Sequence, residues 1–218
     1  MKKLLLVQLL MCLANVLYAQ KTEKLAAKIR QINAHVGVNI SNLRGPEDGE
    51  NKSLTGLNAG LGIPLGNMSE KLSIRTEIVY SQQGDQYSYG ESGGTYGYSS
   101  KTVSRLNYLN LPVMANFQSK SGFFAEAGLQ PGLLLSAKEK TTTTGMGSSE
   151  GTTETDIKKE LNSFALGVPL GVGYVFKKKV GISARFTPGL LNVIKKDGAF
   201  AGLKEKNTVL SARVNYFF

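Results

Sequence analysis

The sequence contains one cysteine and one histidine, and beyond its first residues it has no long apolar run. Cys12 lies in a segment that resembles an export signal. The mature chain would then have no thiol for a disulfide, a metal site or a nucleophile. A Ser/His catalytic unit or a zinc site would need His35, which has no acidic cluster near it in sequence. We therefore predict no catalytic, cofactor-binding or metal-binding residues, and no membrane-spanning helix.

The N-terminal residues predict export. A basic start (MKK), a mostly apolar stretch and the triplet LYA before Gln20 are typical of a secretory signal peptide. We predict a signal peptide over residues 1–19, a periplasmic lead-in over 20–33 and one domain over 34–218. Acylation at Cys12 is the alternative, but Met11 occupies a position where lipoprotein signals need a small residue.

The basic residues are spread along the chain rather than clustered. The formal net charge is +10, yet the short runs in FKKKVG (176–181) and VIKKDG (193–198) resemble turns at strand ends. Nucleic acid is therefore not expected as a partner. Anionic lipid headgroups are the partner that this distribution favours.

From residue 34 onward, segments with a two-residue apolar period alternate with turn-rich stretches. Most of these segments reach the length that a tilted membrane strand needs. The eight predicted strands are 34–43, 53–65, 71–84, 102–117, 123–138, 162–176, 180–193 and 207–218.

The connections between these segments alternate in length. Short ones at 66–71, 118–122 and 177–179 alternate with long ones, which include 84–101 and 139–161. This asymmetry is typical of an up-and-down outer-membrane barrel with tight periplasmic turns and long outer loops. We predict an all-β, eight-stranded antiparallel transmembrane β-barrel with both termini periplasmic. Within the loop 139–161, the low-complexity residues 141–155 predict disorder.

The two faces of the strands differ in composition. One face is apolar, and the other is rich in glycine and poor in lysine, which favours a crowded lumen over a water-facing surface. A soluble lipocalin-like barrel with its apolar face inward is the alternative. Aromatic residues near strand ends fit interfacial girdles; they are Tyr80, Phe117, Phe123, Phe164, Tyr174, Phe176, Tyr216 and Phe218.

Five charged residues fall on the predicted inward face at similar heights: Arg75, Glu77, Glu126, Arg185 and Arg213. The interior of an eight-stranded barrel is only about wide enough for side chains. These charges should therefore pair, because unpaired buried charge is costly. We interpret the layer as a structural plug; a proton or ion gate is the alternative.

The segment RLNYLNLPVMANF (105–117) resembles the PorT-like, or porin family, outer-membrane β-barrel proteins of Bacteroidota. Asn110 and Asn116 stand where that family usually has an acidic and a basic residue. IRTEIVYSQQG (74–84) and FFAEAGLQPGLLLSAK (123–138) match further strands of the family. The resemblance implies an outer-membrane barrel, and some family members are linked to protein secretion.

The function expected from this reading is non-enzymatic: a structural, interaction or secretion-accessory role. A narrow pore is the alternative, and a lipid-modifying barrel enzyme is disfavoured because it needs a polar catalytic cluster at the outer rim. Expected partners are outer-membrane lipid and the barrel-assembly machinery, which would recognise Tyr216 and Phe218 in the last strand. A protein or glycan would bind at loops 84–101 and 139–161.

Overall fold

The computed structural model describes residues 32–45, 51–91, 98–145, 151–177, 179–195, 197 and 204–218. The predicted signal peptide and almost all of the predicted lead-in lie outside these residues. No helix within the described ranges is long and apolar enough to cross a membrane.

The secondary structure of these residues is almost entirely β-strand, with one 3-10 turn at Lys158–Glu160. The strands are β1 (Asn33–Arg44), β2 (Lys52–Asn67), β3 (Leu72–Glu91), β4 (Tyr98–Asn110), β5 (Val113–Gln118), β6 (Phe123–Gly145), β7 (Gly151–Asp156), β8 (Phe164–Gly167), β9 (Leu170–Phe176), β10 (Val180–Pro188) and β11 (Lys206–Phe217).

Antiparallel pairing closes these strands into a ring of eight passes. β1 pairs with both β2 and β11, which joins the first pass to the last. The ring continues from β2 through β3, the β4–β5 pass, β6, the β8–β9 pass and β10 back to β11. The predicted eight-stranded up-and-down barrel is confirmed.

Two passes that the sequence predicts as single strands are interrupted at a proline. The predicted strand 102–117 breaks between β4 and β5 at Pro112, and the predicted strand 162–176 breaks between β8 and β9 at Pro169. Proline has no N–H to donate to the ladder. The neighbouring strands still use the proline carbonyls, because Glu77 donates its N–H to Pro112 O at 3.1 Å and Gly128 donates to Pro169 O at 3.2 Å.

The apolar side chains of the strands face outward. Val36, Leu57, Val172, Ile182 and Val214 are each more than half exposed. Their chain neighbours on the other face are buried in the lumen, as the sequence predicted for the membrane-spanning barrel. The eight aromatic residues expected in girdles are all exposed, and six of them lie at the short-turn end of the barrel: Phe117, Phe123, Tyr174, Phe176, Tyr216 and Phe218.

The long-loop end contains more strand than the sequence predicts. β3 runs on to Glu91, β4 begins at Tyr98, and β6 runs on to Gly145 and pairs with β7. The predicted disorder of 141–155 is therefore wrong for 141–145 and 151–155, while residues 146–150 lie outside the described ranges. Threonine-rich segments suit strands because the β-branched side chain packs well on a pleated surface.

The barrel mouth at this end is filled by apolar side chains. The predicted strand 180–193 ends at Pro188, and the following chain turns inward so that Val193 and Ile194 are buried. They pack with Leu161 and with inward-facing barrel residues; the whole cluster is Leu43, Leu106, Tyr108, Leu134, Ala137, Leu161, Val193 and Ile194. This apolar cap packs against the β1, β4 and β6 side of the lumen, above its polar middle.

Candidate functional site

Four of the five predicted lumenal charges meet in one ion-pair network, which we call the charge quartet: Glu77, Glu126, Arg185 and Arg213. Arg185 Nη1 and Nη2 lie 2.8 and 3.0 Å from the two carboxylate oxygens of Glu77. Arg185 Nη2 also lies 2.5 Å from Glu126 Oε1. Arg213 bridges the same two carboxylates, at 3.3 Å to Glu77 and 3.1 Å to Glu126.

The quartet is buried and electrically balanced. The side chains of Arg185 and Arg213 are 4% and 3% exposed, and those of their two partners are 5–6% exposed. Two guanidinium groups face two carboxylates, so that each charge has two opposite neighbours. Since buried ions need excellent pairing to offset their desolvation, this closed network is the arrangement expected of four charges enclosed together.

Arg75, the fifth predicted member, lies on the short-turn side of the quartet. Its Nη2 donates a 2.6 Å hydrogen bond to Asn33 Oδ1. Its guanidinium carbon lies 5.8 Å from the ring centroid of Phe217. Because Arg75 is two residues nearer the short turn than Glu77, it lies in a separate layer on that side of the quartet.

Two glycines make room for the quartet. A Cβ on Gly171 would lie 2.6 Å from Glu126 Oε1, and one on Gly37 would lie 2.8 Å from Arg213 Cγ. Both glycines lie opposite the charged strand segments, at places where any side chain would overlap the network. This agrees with the sequence-based interpretation of the glycine-rich face as a crowded lumen.

Residues 18–195 match the model of the outer membrane protein beta-barrel domain family. The chain belongs to this family. Its outer-membrane location follows, so the short turns face the periplasm and the long loops face the cell exterior.

Solved outer-membrane barrels share this architecture. Ail, the attachment invasion locus protein of Yersinia pestis, is similar with a TM-score of 0.50 and 12% identity, over 86% of this chain and 98% of Ail. Neisserial surface protein A has a TM-score of 0.43 and 13% identity, over 86% of this chain and 97% of its own. No curated protein matches the sequence. At these identities the likeness concerns the fold.

A layer of amides and hydroxyls lies on the extracellular side of the quartet, and sequence reasoning did not identify it as a site. Asn39 Nδ2 donates to Ser81 Oγ at 2.9 Å, while Asn39 Oδ1 accepts hydrogen bonds from Asn58 Nδ2 and Ser211 Oγ, both at 2.8 Å. Four strands are thereby joined through Asn39. The available signal was the polar residue at every second position of these strands.

His35 lies in the lumen near the periplasmic end of β1 and is 5% exposed. Its ring packs over Gly60, where a Cβ would lie 2.7 Å from His35 Cε1. No group of three or more His, Cys, Asp or Glu residues suited to a metal ion occurs in the described part of the chain. Both ring nitrogens of His35 are buried without a hydrogen-bond partner among the described residues, and the contact that positions the ring is its packing over Gly60.

Small polar cavities flank the quartet on both sides. The periplasmic cavity, of about 20 Å³, is lined by residues that include Arg75, Glu77 and Arg213. The second cavity, also about 20 Å³, lies beside Arg185 and the Asn39 layer. Each has room for about one water molecule. Chemically, this site can hold the barrel closed, or it can separate the two polar cavities from each other.

Proposed function

We propose that this protein is a non-enzymatic outer-membrane barrel with a closed lumen, acting through its extracellular surface as an interaction or secretion-accessory protein. The observation that carries the proposal is the charge quartet, in which every charge has two opposite neighbours across the barrel axis. A second barrier, the apolar cap containing Leu161 and Val193, supports it.

The resemblance of RLNYLNLPVMANF (105–117) to the PorT-like porin family of Bacteroidota supports the secretion-accessory role. The natural contact sites are the long loops 84–101 and 139–161, whose strands extend beyond the barrel. We also propose that residues 1–19 are a signal peptide and that the barrel-assembly machinery recognises the last strand.

Single-channel conductance of the refolded protein in a planar bilayer tests the closed lumen. Heat-modifiable gel mobility of the same preparation establishes that the barrel is folded. A folded protein that gives no steady current supports the proposal. Steady current from the folded wild-type protein contradicts it.

A narrow path for protons or small ions is the second candidate, and the two small polar cavities beside the quartet favour it. In this case partner exchange among the four charged groups would connect the cavities. Arg213→Ala separates the two functions. Unchanged conductance with lower thermal stability indicates a plug, whereas a changed current indicates that Arg213 controls a path.

A further inference from the structure

An unusual concentration of positive charge lies on the outward face of the β4–β6–β7 extension. Successive side chains of a strand face opposite sides of the sheet. Leu106 and Ala137 are fully buried facing the lumen, so their chain neighbours Arg105 and Lys138 face outward. We call this surface the outer basic face. It comprises Lys101, Arg105, Lys138, Lys140 and Lys158.

Two of these cations lie directly opposite each other. Arg105 on β4 is the cross-strand partner of Lys138 on β6. Like charges at directly opposed positions destabilise a sheet. Lys140 lies two residues further along the same face of β6. The repulsion among these cations is a local electrostatic cost, which any anion placed beside them reduces.

Acidic residues of β7 compensate for only part of this charge. Glu154 lies 2.5 Å from Lys138, and hydrogen bonding to Lys138 lowers the pKa of the Glu154 carboxyl. The Asp156 carboxylate accepts the backbone N–H of Lys158 at 2.9 Å. Among the described residues, these two carboxylates against five cations leave the face with a net positive charge.

The height of the face relative to the membrane is defined by the residues below it. Leu109 pairs with Leu133 in the outward apolar band. Two residues higher, Asn107 bonds to the hydroxyls of Tyr80 and Ser136 at 3.0 and 2.8 Å. Arg105 comes two residues above that, about 13 Å along the strand from Leu109. Along the strand towards the exterior, the outward-facing side chains are therefore first apolar, then amides and hydroxyls, and then cationic.

Lys158 also lies where the outward apolar side chains give way to the outer basic face. Its ammonium donates a 2.6 Å hydrogen bond to the carbonyl of Leu135. Leu135 is the extra residue of a β-bulge between the pairs Asn107–Ser136 and Tyr108–Leu134, and its side chain is 45% exposed. A lysine is thereby held immediately above an outward-facing leucine.

We propose that the outer basic face binds the phosphate groups of an anionic lipid in the outer leaflet, whose acyl chains lie against Leu109, Leu133 and Leu135. A phosphate at this height can accept hydrogen bonds from Arg105 and the neighbouring lysines together. Glu154 neutralises one cation of this face, at Lys138, and the lipid phosphate supplies a further anion for Arg105 and the neighbouring lysines. This inference depends on the outer-membrane location and not on whether the lumen conducts.

The thermal stability of the protein in bilayers of defined lipid composition tests this proposal. The protein is refolded in phosphatidylcholine nanodiscs containing no added anion, diphosphorylated lipid A, or the same lipid without its phosphates. Inorganic phosphate is added to a fourth sample. The unfolding midpoint comes from heat-modifiable mobility, and the lipid affinity from native mass spectrometry.

The variant is the double substitution Arg105→Gln with Lys138→Gln. Its matched control is Lys71→Gln with Lys120→Gln, which removes the same charge from the periplasmic turns. We expect diphosphorylated lipid A to raise the midpoint of the wild type and the control, and to bind the double variant about tenfold more weakly. In phosphatidylcholine alone the double variant should be about as stable as the wild type, because removal of the Arg105–Lys138 repulsion offsets the loss of the exposed Lys138–Glu154 ion pair.

Glu154→Gln provides a second test in the opposite direction. Removing this carboxylate leaves Lys138 without its acidic partner, so binding of phosphorylated lipid should become tighter. An equal response of wild type and double variant would overturn the proposal. It would also be overturned if the lipid without phosphates, or inorganic phosphate alone, reproduced the whole effect. A sulfated polysaccharide that binds while phosphorylated lipid does not would likewise overturn it.

Discussion

Arg185 and Glu77 meet across the barrel axis in a two-pronged hydrogen bond, with N–O distances of 2.8 and 3.0 Å. They lie on β10 and β3, 108 residues apart in the chain. The paired geometry uses both oxygens of the carboxylate, which makes it among the stronger kinds of side-chain contact. The same guanidinium also reaches Glu126, so one side chain joins three strands of the ring.

Glu77→Gln should strongly destabilise the barrel. The substitution leaves Arg185 and Arg213 sharing a single carboxylate, and removal of one member of a buried ion pair costs about 3–5 kcal/mol. The free energy of unfolding in lipid vesicles, measured by urea titration, checks this. Glu70→Gln, an exposed change in a periplasmic turn, is the control and should change it little. Equal stability of the two variants would show that the quartet contributes nothing.

Combining Glu77→Gln with Arg185→Gln should cost less than the sum of the two single changes. The pair removes one charge of each sign, so Arg213 and Glu126 remain balanced. A double-mutant cycle on the same unfolding measurement gives the coupling free energy. Simple additivity would contradict a direct interaction between the two groups.

Gly171→Ala should destabilise the barrel by overpacking. The added methyl would lie 2.6 Å from Glu126 Oε1 and 2.7 Å from its Cγ. Added volume in a filled interior typically costs about 1–3 kcal/mol. Gly66→Ala is the matched control, because a Cβ there has no neighbour within 4 Å. If both variants unfold at the same urea concentration, the lumen around Glu126 has more free space than the structure indicates.

Ile182→Lys should destabilise the barrel in lipid because it places a charge on the hydrocarbon-facing surface. Ile182 is 52% exposed and is the third residue of β10, two residues in from its periplasmic start. A lysine on the lipid-facing surface costs about 2–4 kcal/mol at the bilayer midplane and less towards the interface, so we expect a loss below that range. Met68→Lys, in a periplasmic turn, is the control and should have a small effect. A soluble barrel would tolerate both changes, so equal stability would argue against the membrane orientation.

Phe218→Ala should slow assembly in cells without preventing refolding in vitro. Tyr216 and Phe218 form an edge-to-face pair with ring centroids 5.2 Å apart. Phe176→Ala is the control, since this ring is also exposed at the periplasmic end but belongs to an internal strand. Pulse-chase analysis of heat-modifiable species in membranes measures the assembly rate. Equal rates for both variants would mean that the last strand carries no special signal.

Most of the barrel could be predicted because its strands have one lipid-facing and one lumen-facing side. The two-residue period of Val180, Ile182 and Phe186 against Ser183 and Arg185 identifies both faces without any knowledge of the partners. The breaks at Pro112 and Pro169 were not predicted from the sequence. The alternating pattern continues through both prolines, and it does not show how the neighbouring strands bond to a residue that has no N–H. The β6–β7 extension was missed because threonine-rich, low-complexity sequence also fits disorder.

Which side chains enter the lumen can be predicted from the sequence, because alternation is a local property of an extended chain. Which of them meet depends on how the ring of strands closes. Arg75 and Glu77 share a face of β3, yet Glu77 binds two arginines while Arg75 bonds to Asn33. The difference of two residues matters because strand stagger in the closed ring sets the height of every side chain. Closure also places Val193 and Ile194 in the mouth, since a loop can bury its apolar residues only where the barrel offers a cavity.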